Sequence, residues 1–428
     1  MVEPEDPAEE RLARRAVAAR LARGSFIQSF PDDPDGVMHT MTQEAQLLLG
    51  RRALLLRVDD GFPELFTVTG LPVTPVAVSS RYLDVAFAIR ELLINEALSG
   101  VREGFFETLA LRVTSEVLMR QGSYDWGTYT FLRGLVGQSL FVDLGESITR
   151  LDSAPKDEGT LTSLFFGMLH ELGHSASDEF TDQFGPLGYL SDEAIIDWVR
   201  LVVDEWRAAS GLDLPAVPAA AFSDDRHPLN AALLRSEIRA DLFAITALVR
   251  ASHRAMAAPG RPFDLNEFFA EPTLAVAPLW FLTVCRDLAA HLSRGGSNTA
   301  EGLRMLFRPV PLNVRLFYLH EYVSVWSTSW GGWDLDWEAT RGRFDDASAV
   351  LSDPLRELDR GLNGAIRFVL MADERPPAGD LLEQVVPQAD GDEWTRHEIA
   401  QHCRLANAVN APRDSFPLQV LDRLAGND

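Results

Sequence analysis

The sequence predicts an α+β fold that is predominantly α-helical. Three observations carry this expectation. Apolar residues recur at helical spacing through most of the chain from Tyr82 onward. Short β-type runs with turn signals concentrate in residues 53–79. Hydrophobic residues make up 46% of the 428, which allows a sizeable core.

The elements follow in order. Residues 7–23, rich in Ala, Leu, Arg and Glu, read as a helix. Pro31-Asp32-Asp33-Pro34-Asp35-Gly36 is a break. Residues 53–68 join short apolar runs to the turn signal Asp59-Asp60-Gly61, a small β or α+β element. Residues 72–79 alternate around Val73, Val76 and Val78, as a strand does. Helical spacing takes over from Tyr82 to about Arg120, and Leu140-Phe141-Val142 is a candidate short strand. After a polar loop at 152–159, Thr160 or Thr162 is placed to cap a helix carrying Leu164, Phe165, Met168, Leu169 and Leu172. Further helices are expected over 192–208 and 230–256, separated by a Pro/Ala/Asp-rich loop at 211–228. The rest reads as mainly helical, broken at 259–262, 295–296, 309–311, 331–332 and 376–377.

Charge and cysteine content remove several function classes. The net charge is −24, and such a surface repels phosphate backbones and anionic lipid, so neither nucleic acid nor membrane is an expected partner. The two cysteines, Cys285 and Cys403, form no disulfide framework and fit reduced thiols in a cytoplasm. The N-terminus, Met-Val-Glu-Pro-Glu-Asp, has the wrong charge for a signal peptide. The longest apolar run, Leu274–Cys285, is too short to span a bilayer and contains Pro278. A soluble cytoplasmic protein is expected.

The chemistry concentrates in His170-Glu171-Leu172-Gly173-His174, an HExxH pattern. On a helix, residues four apart are offset by only about 40°, so both imidazoles leave from one face and can share a zinc ion. Glu171 projects beside them and is placed to take a proton from a water that the metal activates. Phe165, Phe166, Met168, Leu169 and Leu172 make this helix apolar nearly all round, which implies burial. Two buried histidines and a buried glutamate are costly unless something satisfies them, and a metal does.

A third ligand is needed, with one position left for water. Two segments offer it, each with Glu followed by Asp one turn later: Glu193…Asp197 and Glu237…Asp241. In either, the glutamate would bind zinc and the aspartate would hydrogen-bond a ligating imidazole and fix its tautomer. Glu237 and Asp241 are preferred, because Ala240 gives a small contact where two helices approach around the metal and Ile196 is bulkier. Position 177 is Ser and 180 is Phe, so the longer three-histidine pattern is absent.

At these residues the chain resembles the gluzincin zinc metallopeptidases. With eighteen residues between His174 and Glu193, Ser191-Asp-Glu-Ala-Ile-Ile-Asp197 resembles the thermolysin segment. Ser236-Glu-Ile-Arg-Ala-Asp-Leu-Phe-Ala244 is similar to the ligand segment of dipeptidyl peptidase III-like families, whose histidine motif usually carries one residue more. HtpX-like proteases use a related Glu-x-x-Ala-Asp pattern but are membrane-embedded. The resemblance covers about residues 160–250. It implies a zincin-like core, a Zn²⁺ cofactor on His170, His174 and Glu237, Glu171 as catalytic base, Asp241 behind a ligand, and a peptide substrate.

Other residues are weighed against this centre. Tyr318, His320 and Tyr322 lie in an aromatic-rich stretch that would supply an oxyanion donor or pocket wall, against a preferred reading as aromatic core. His227 is a weaker oxyanion candidate. His397 and His402 are five apart, about 140° around a helix, so they cannot share one ion and read as a surface helix. The expected division is residues 1–66 as an N-terminal helical and small β region, 67–260 as a zinc metallohydrolase core, and 261–428 as a helical C-terminal region. Two rivals stand beside the peptidase: a zinc hydrolase or tailoring enzyme acting on a small amide or ester, and a non-catalytic zinc scaffold.

Overall fold

The structure is a computed structural model and describes residues 7–21, 25–29, 37–59, 61–136, 158–176, 190–210, 216–256, 265–294, 304, 307–308, 310–329, 337–371 and 393–424. Among the described residues, one four-stranded sheet lies near the N-terminus and most of the remainder is helix. The strands are β1 (Phe26–Ser29), β2 (Ala53–Asp59), β3 (Leu65–Thr67) and β4 (Thr74–Ser79), in spatial order β1-β2-β4-β3. β2 and β4 run parallel, while β1 and β3 pair antiparallel as the two edges.

β4 is central, and all six of its residues are buried. Ala77 joins Leu56 and Val58 of β2 on one face, where Val17 covers them. Val76 and Val78 face the other way into the main core, and their spacing of two is the alternation visible in the sequence. Ser79 ends the strand and starts the next helix: its hydroxyl accepts from the Tyr82 amide at 2.9 Å and the Glu64 amide at 2.9 Å.

The helices are α1 (Pro7–Ala18), α2 (Val37–Leu49), α3 (Ser80–Ile94), α4 (Arg102–Arg120), α5 (Tyr124–Val136), α6 (Glu158–Gly173), α7 (Asp192–Ser210), α8 (Ala231–Met256), α9 (Leu265–Ser293), α10 (Val310–Ser329), α11 (Trp337–Met371), α12 (Glu393–Ala408) and α13 (Phe416–Leu424). α1 stops at Ala18, short of the expected 23, and α6 begins at Glu158, so Thr160 and Thr162 lie inside it and neither is its cap. The candidate strand at 140–142 and the breaks at 31–36, 259–262, 295–296, 331–332 and 376–377 fall outside the described residues.

α6 sits at the centre, packed on α8 and α9 and touching α2, α3, β3 and β4. Its Phe165, Phe166, Met168, Leu169 and Leu172 are all buried, as the apolar pattern requires. The largest hydrophobic cluster draws on the whole chain, from Ala53 and Leu65 through Leu169 and Phe243 to Trp280 and Leu358. Thr273–Ser293 is long and apolar enough to cross a membrane, but 78% of its most apolar window is buried within the fold, as in a core helix.

A smaller cluster joins α5, α12 and α13 through Phe131, Leu132, Leu135, Ile399, Cys403, Phe416 and Val420. It corrects one expectation. His397 is exposed, as a surface helix requires, but His402 is 4% exposed and stacks on Phe131, with ring centroids 4.0 Å and planes 5° apart. The flat face of the imidazole fills the seam between α5 and α12, where apolar contact outweighs its polar edge.

Candidate metal centre

α6 runs beneath α8 with almost no space between them. A methyl group at Gly173 would lie 2.7 Å from the Ala240 Cα and 2.9 Å from its carbonyl oxygen. Gly173 sits inside the histidine motif and Ala240 beside Asp241, so two small residues let the backbones approach and bring the segments together.

The approach brings the donors of three side chains together, each imidazole lying nearest a different oxygen of Glu237. His170 Nε2 is 3.1 Å from His174 Nε2 and 3.4 Å from Glu237 Oε2, and His174 Nε2 is 3.6 Å from Glu237 Oε1. A tetrahedral zinc ion with bonds of about 2.0–2.2 Å needs ligand atoms roughly 3.3–3.6 Å apart. The two histidine–glutamate distances fall in that range and the two imidazoles stand slightly closer, and a set of two imidazoles and a carboxylate could hold a metal ion. His170 is the closed corner of the triangle, whereas the His174 and Glu237 side chains are 25% and 37% exposed.

Behind the triangle the hydrogen bonds fix the rings. His170 Nδ1 donates to Asp241 Oδ1 at 2.8 Å, which leaves Nε2 with its lone pair facing the ligand cluster. Ser236 Oγ is 3.5 Å from His174 Nδ1, at the limit of a hydrogen bond. Burial opposes a charge on His170, but the hydrogen bonds to Asp241 and Glu237 outweigh it and raise its pKa to about 9. His174 goes the other way, to about 4, through burial and the neighbouring His170. Burial would raise the pKa of Glu237, yet its hydrogen bond to His170 and the Arg315 charge hold it well below the usual range. Two carboxylates thus favour a single positive charge where the ligand atoms meet.

Glu171 stands beside this set and outside it. Burial raises its pKa, while His170 and Arg286 oppose the rise and the Thr67 backbone N–H donates to its carboxylate. β3 therefore holds the group, through the outward-facing amide of an edge strand. The other outward groups of β3 are engaged too: Arg20 Nη1 donates to the Thr67 carbonyl at 3.1 Å and Arg286 Nη2 to the Leu65 carbonyl at 3.5 Å. Tyr82 packs over Gly167 of α6, and its buried hydroxyl has no hydrogen-bond partner among the described residues.

The two candidate third ligands part company. Glu237 is in the triangle and Asp241 behind it, whereas Glu193 and Asp197 are exposed on α7, with Asp197 paired to Arg200 at 3.2 Å. Tyr318 is buried and packs edge-on against Phe317 at 5.5 Å, and burial raises its pKa to about 12. His320 and Tyr322 lie on α10, but their side chains are outside the described residues. His227 is buried in its loop, where its Nδ1 accepts from the Leu229 amide at 3.2 Å, a brace for the entry to α8.

α10 does reach the centre, through a residue that sequence spacing did not reveal. Arg315 donates to both oxygens of Asp241, at 2.7 Å from Nε and 2.7 Å from Nη2. The available signal was one arginine among apolar neighbours in Pro311-Leu-Asn-Val-Arg-Leu-Phe317, a pattern that marks a buried, paired cation. Comparison with family models, curated proteins and solved structures gives no match.

Proposed function

We propose that this chain is a zinc-dependent hydrolase that cleaves peptide bonds, a metallopeptidase of the gluzincin type. The observation that carries the reading is the cluster of His170, His174 and Glu237, whose ligand atoms lie 3.1–3.6 Å apart, with a basic carboxylate, Glu171, beside it. Zn²⁺ bound there would polarise a scissile carbonyl and make a water nucleophilic near neutral pH. The remaining chemistry belongs to the chain. Glu171 takes a proton from the attacking water and returns it to the leaving amine, and its raised pKa makes it the stronger base. The Thr67 amide fixes the direction from which Glu171 acts, and Asp241 holds His170 in the tautomer that ligates. Among the described residues three ligands are at hand, which would leave room for water, in keeping with a catalytic and not a structural site. The acidic charge of −24 disfavours nucleic acid and anionic membrane as partners, and two free, buried cysteines fit the cytoplasm.

A second reading has its own observation. The outward carbonyls of β3 are already bonded to Arg20 and Arg286, so an extended peptide cannot add to that edge without displacing them. This favours a small amide or ester as substrate.

One experiment separates the readings. Wild type and Glu171→Gln are incubated with a peptide pool and with a panel of small amides and esters, and products are read by mass spectrometry. The proposal expects peptide cleavage by wild type, and a loss of about a hundredfold or more in Glu171→Gln with zinc retained. Turnover of the panel without peptide cleavage selects the second reading. Full activity in Glu171→Gln removes that residue from the mechanism, and bound zinc with no turnover of any substrate leaves a scaffold.

A further inference from the structure

Arg315 is a charged group that the histidine motif does not call for, and the centre holds it at three points. It is 3% exposed on α10. Nε and Nη2 form a two-pronged grip on Asp241, each at 2.7 Å, and Nη1 lies 3.2 Å from Glu237 Oε2. One planar cation therefore ties the carboxylate behind His170 to the carboxylate that closes the triangle.

The need for such a tie follows from helix geometry. Glu237 and Asp241 are one turn apart on α8, so two negative charges face the same way in a poorly solvated place. Left alone they repel, and Glu237, whose side chain is 37% exposed, is the one with room to swing out. A guanidinium answers this better than an ammonium, because its fork fixes one carboxylate and has a nitrogen left for the other. That spare nitrogen touches Oε2 and so restrains rotation of the Glu237 carboxylate.

We propose that Arg315 is a positioning residue that holds the Glu237 carboxylate beside the two imidazoles before any metal arrives. The proposal rests on the reading of His170, His174 and Glu237 as a metal site. Without the Nη1 contact, Glu237 is free to retreat from the imidazoles, which weakens binding and changes the coordination of the metal.

The test uses full-length wild type, Arg315→Lys and Arg315→Gln, each checked for native circular dichroism. Lysine keeps the charge but cannot hold both carboxylates at once. Zn²⁺ affinity is measured by competition with a chromophoric chelator, and each protein is loaded with Co²⁺ for visible absorption. The expected result is Zn²⁺ affinity about ten- to a hundredfold weaker in both variants, with a Co²⁺ spectrum changed from the wild type's four-coordinate form. Should Arg315→Gln fail to fold, Arg315→Lys alone decides. Folded variants with wild-type affinity and superimposable Co²⁺ spectra would overturn the role of Arg315. A wild type that binds neither metal would instead overturn the metal site beneath it.

Discussion

At the scale of single residues, local spacing carried what local spacing can. His170, Glu171 and His174 share one turn of helix, and Glu237 and Asp241 share another, so each group is legible from neighbours four apart. Arg315 was not legible as their partner, since 74 residues separate it from Asp241 and only the packing of α10 on α8 brings them together. His402 failed for the same reason: its surroundings come from α5, and no local pattern announces them. That burial has a measurable consequence. It depresses the His402 pKa to about 3, with Arg112 and Arg81 adding to the effect and Glu116 opposing it. An exposed imidazole titrates near pH 6.5, so between those values the unfolded chain binds the extra proton and stability falls as pH is lowered. This group alone should cost about 2 kcal/mol at pH 5 relative to pH 7.5. Urea unfolding at the two pH values should therefore show a loss smaller by that amount in His402→Phe, which keeps the stack on Phe131. An equal loss in both proteins would mean that the ring is not held neutral.

At the scale of elements, the sequence located α7 and α8 closely because their apolar periods are long and regular. The start of α6 was missed, since two threonines offered caps that the helix runs past. The crossing of α6 and α8 was legible only in part. Ala240 announced a close approach, but its partner Gly173 reads in the sequence as a mere variable position of the motif. The crossing makes a sharp prediction. Gly173→Ala sets a methyl group against backbone that cannot yield, and should lower unfolding stability by about 1–3 kcal/mol and weaken metal binding by parting His174 from Glu237. Gly134→Ala is the control: its nearest neighbour is 3.4 Å away, so helix propensity should dominate and stability should hold or rise. Thermal melts and chelator competition on both variants decide it. A Gly173→Ala protein as stable and as metal-avid as wild type would show that the two helices are not pressed together.

At the scale of the molecule, the α-rich α+β class was written in hydrophobic period and in the concentration of β signals in one stretch, although β1 at Phe26–Ser29 lies outside it. The order of the sheet was not, because β2 and β4 pair across a hairpin and nothing local sets which edge β3 takes. That order matters: it leaves β3 as the edge beside α6, where Thr67 meets Glu171. The fold thus gathers its centre from β3, α6, α8 and α10, with only the parts on α6 and α8 visible beforehand. The central claim is that this gathering holds a divalent cation. Metal analysis of native protein, beside Glu237→Ala and Glu193→Ala, tests it most directly. One zinc per chain is predicted for wild type and for Glu193→Ala, with loss of most of it in Glu237→Ala. A wild type without transition metal, or a Glu237→Ala protein that keeps its full complement, would contradict the account.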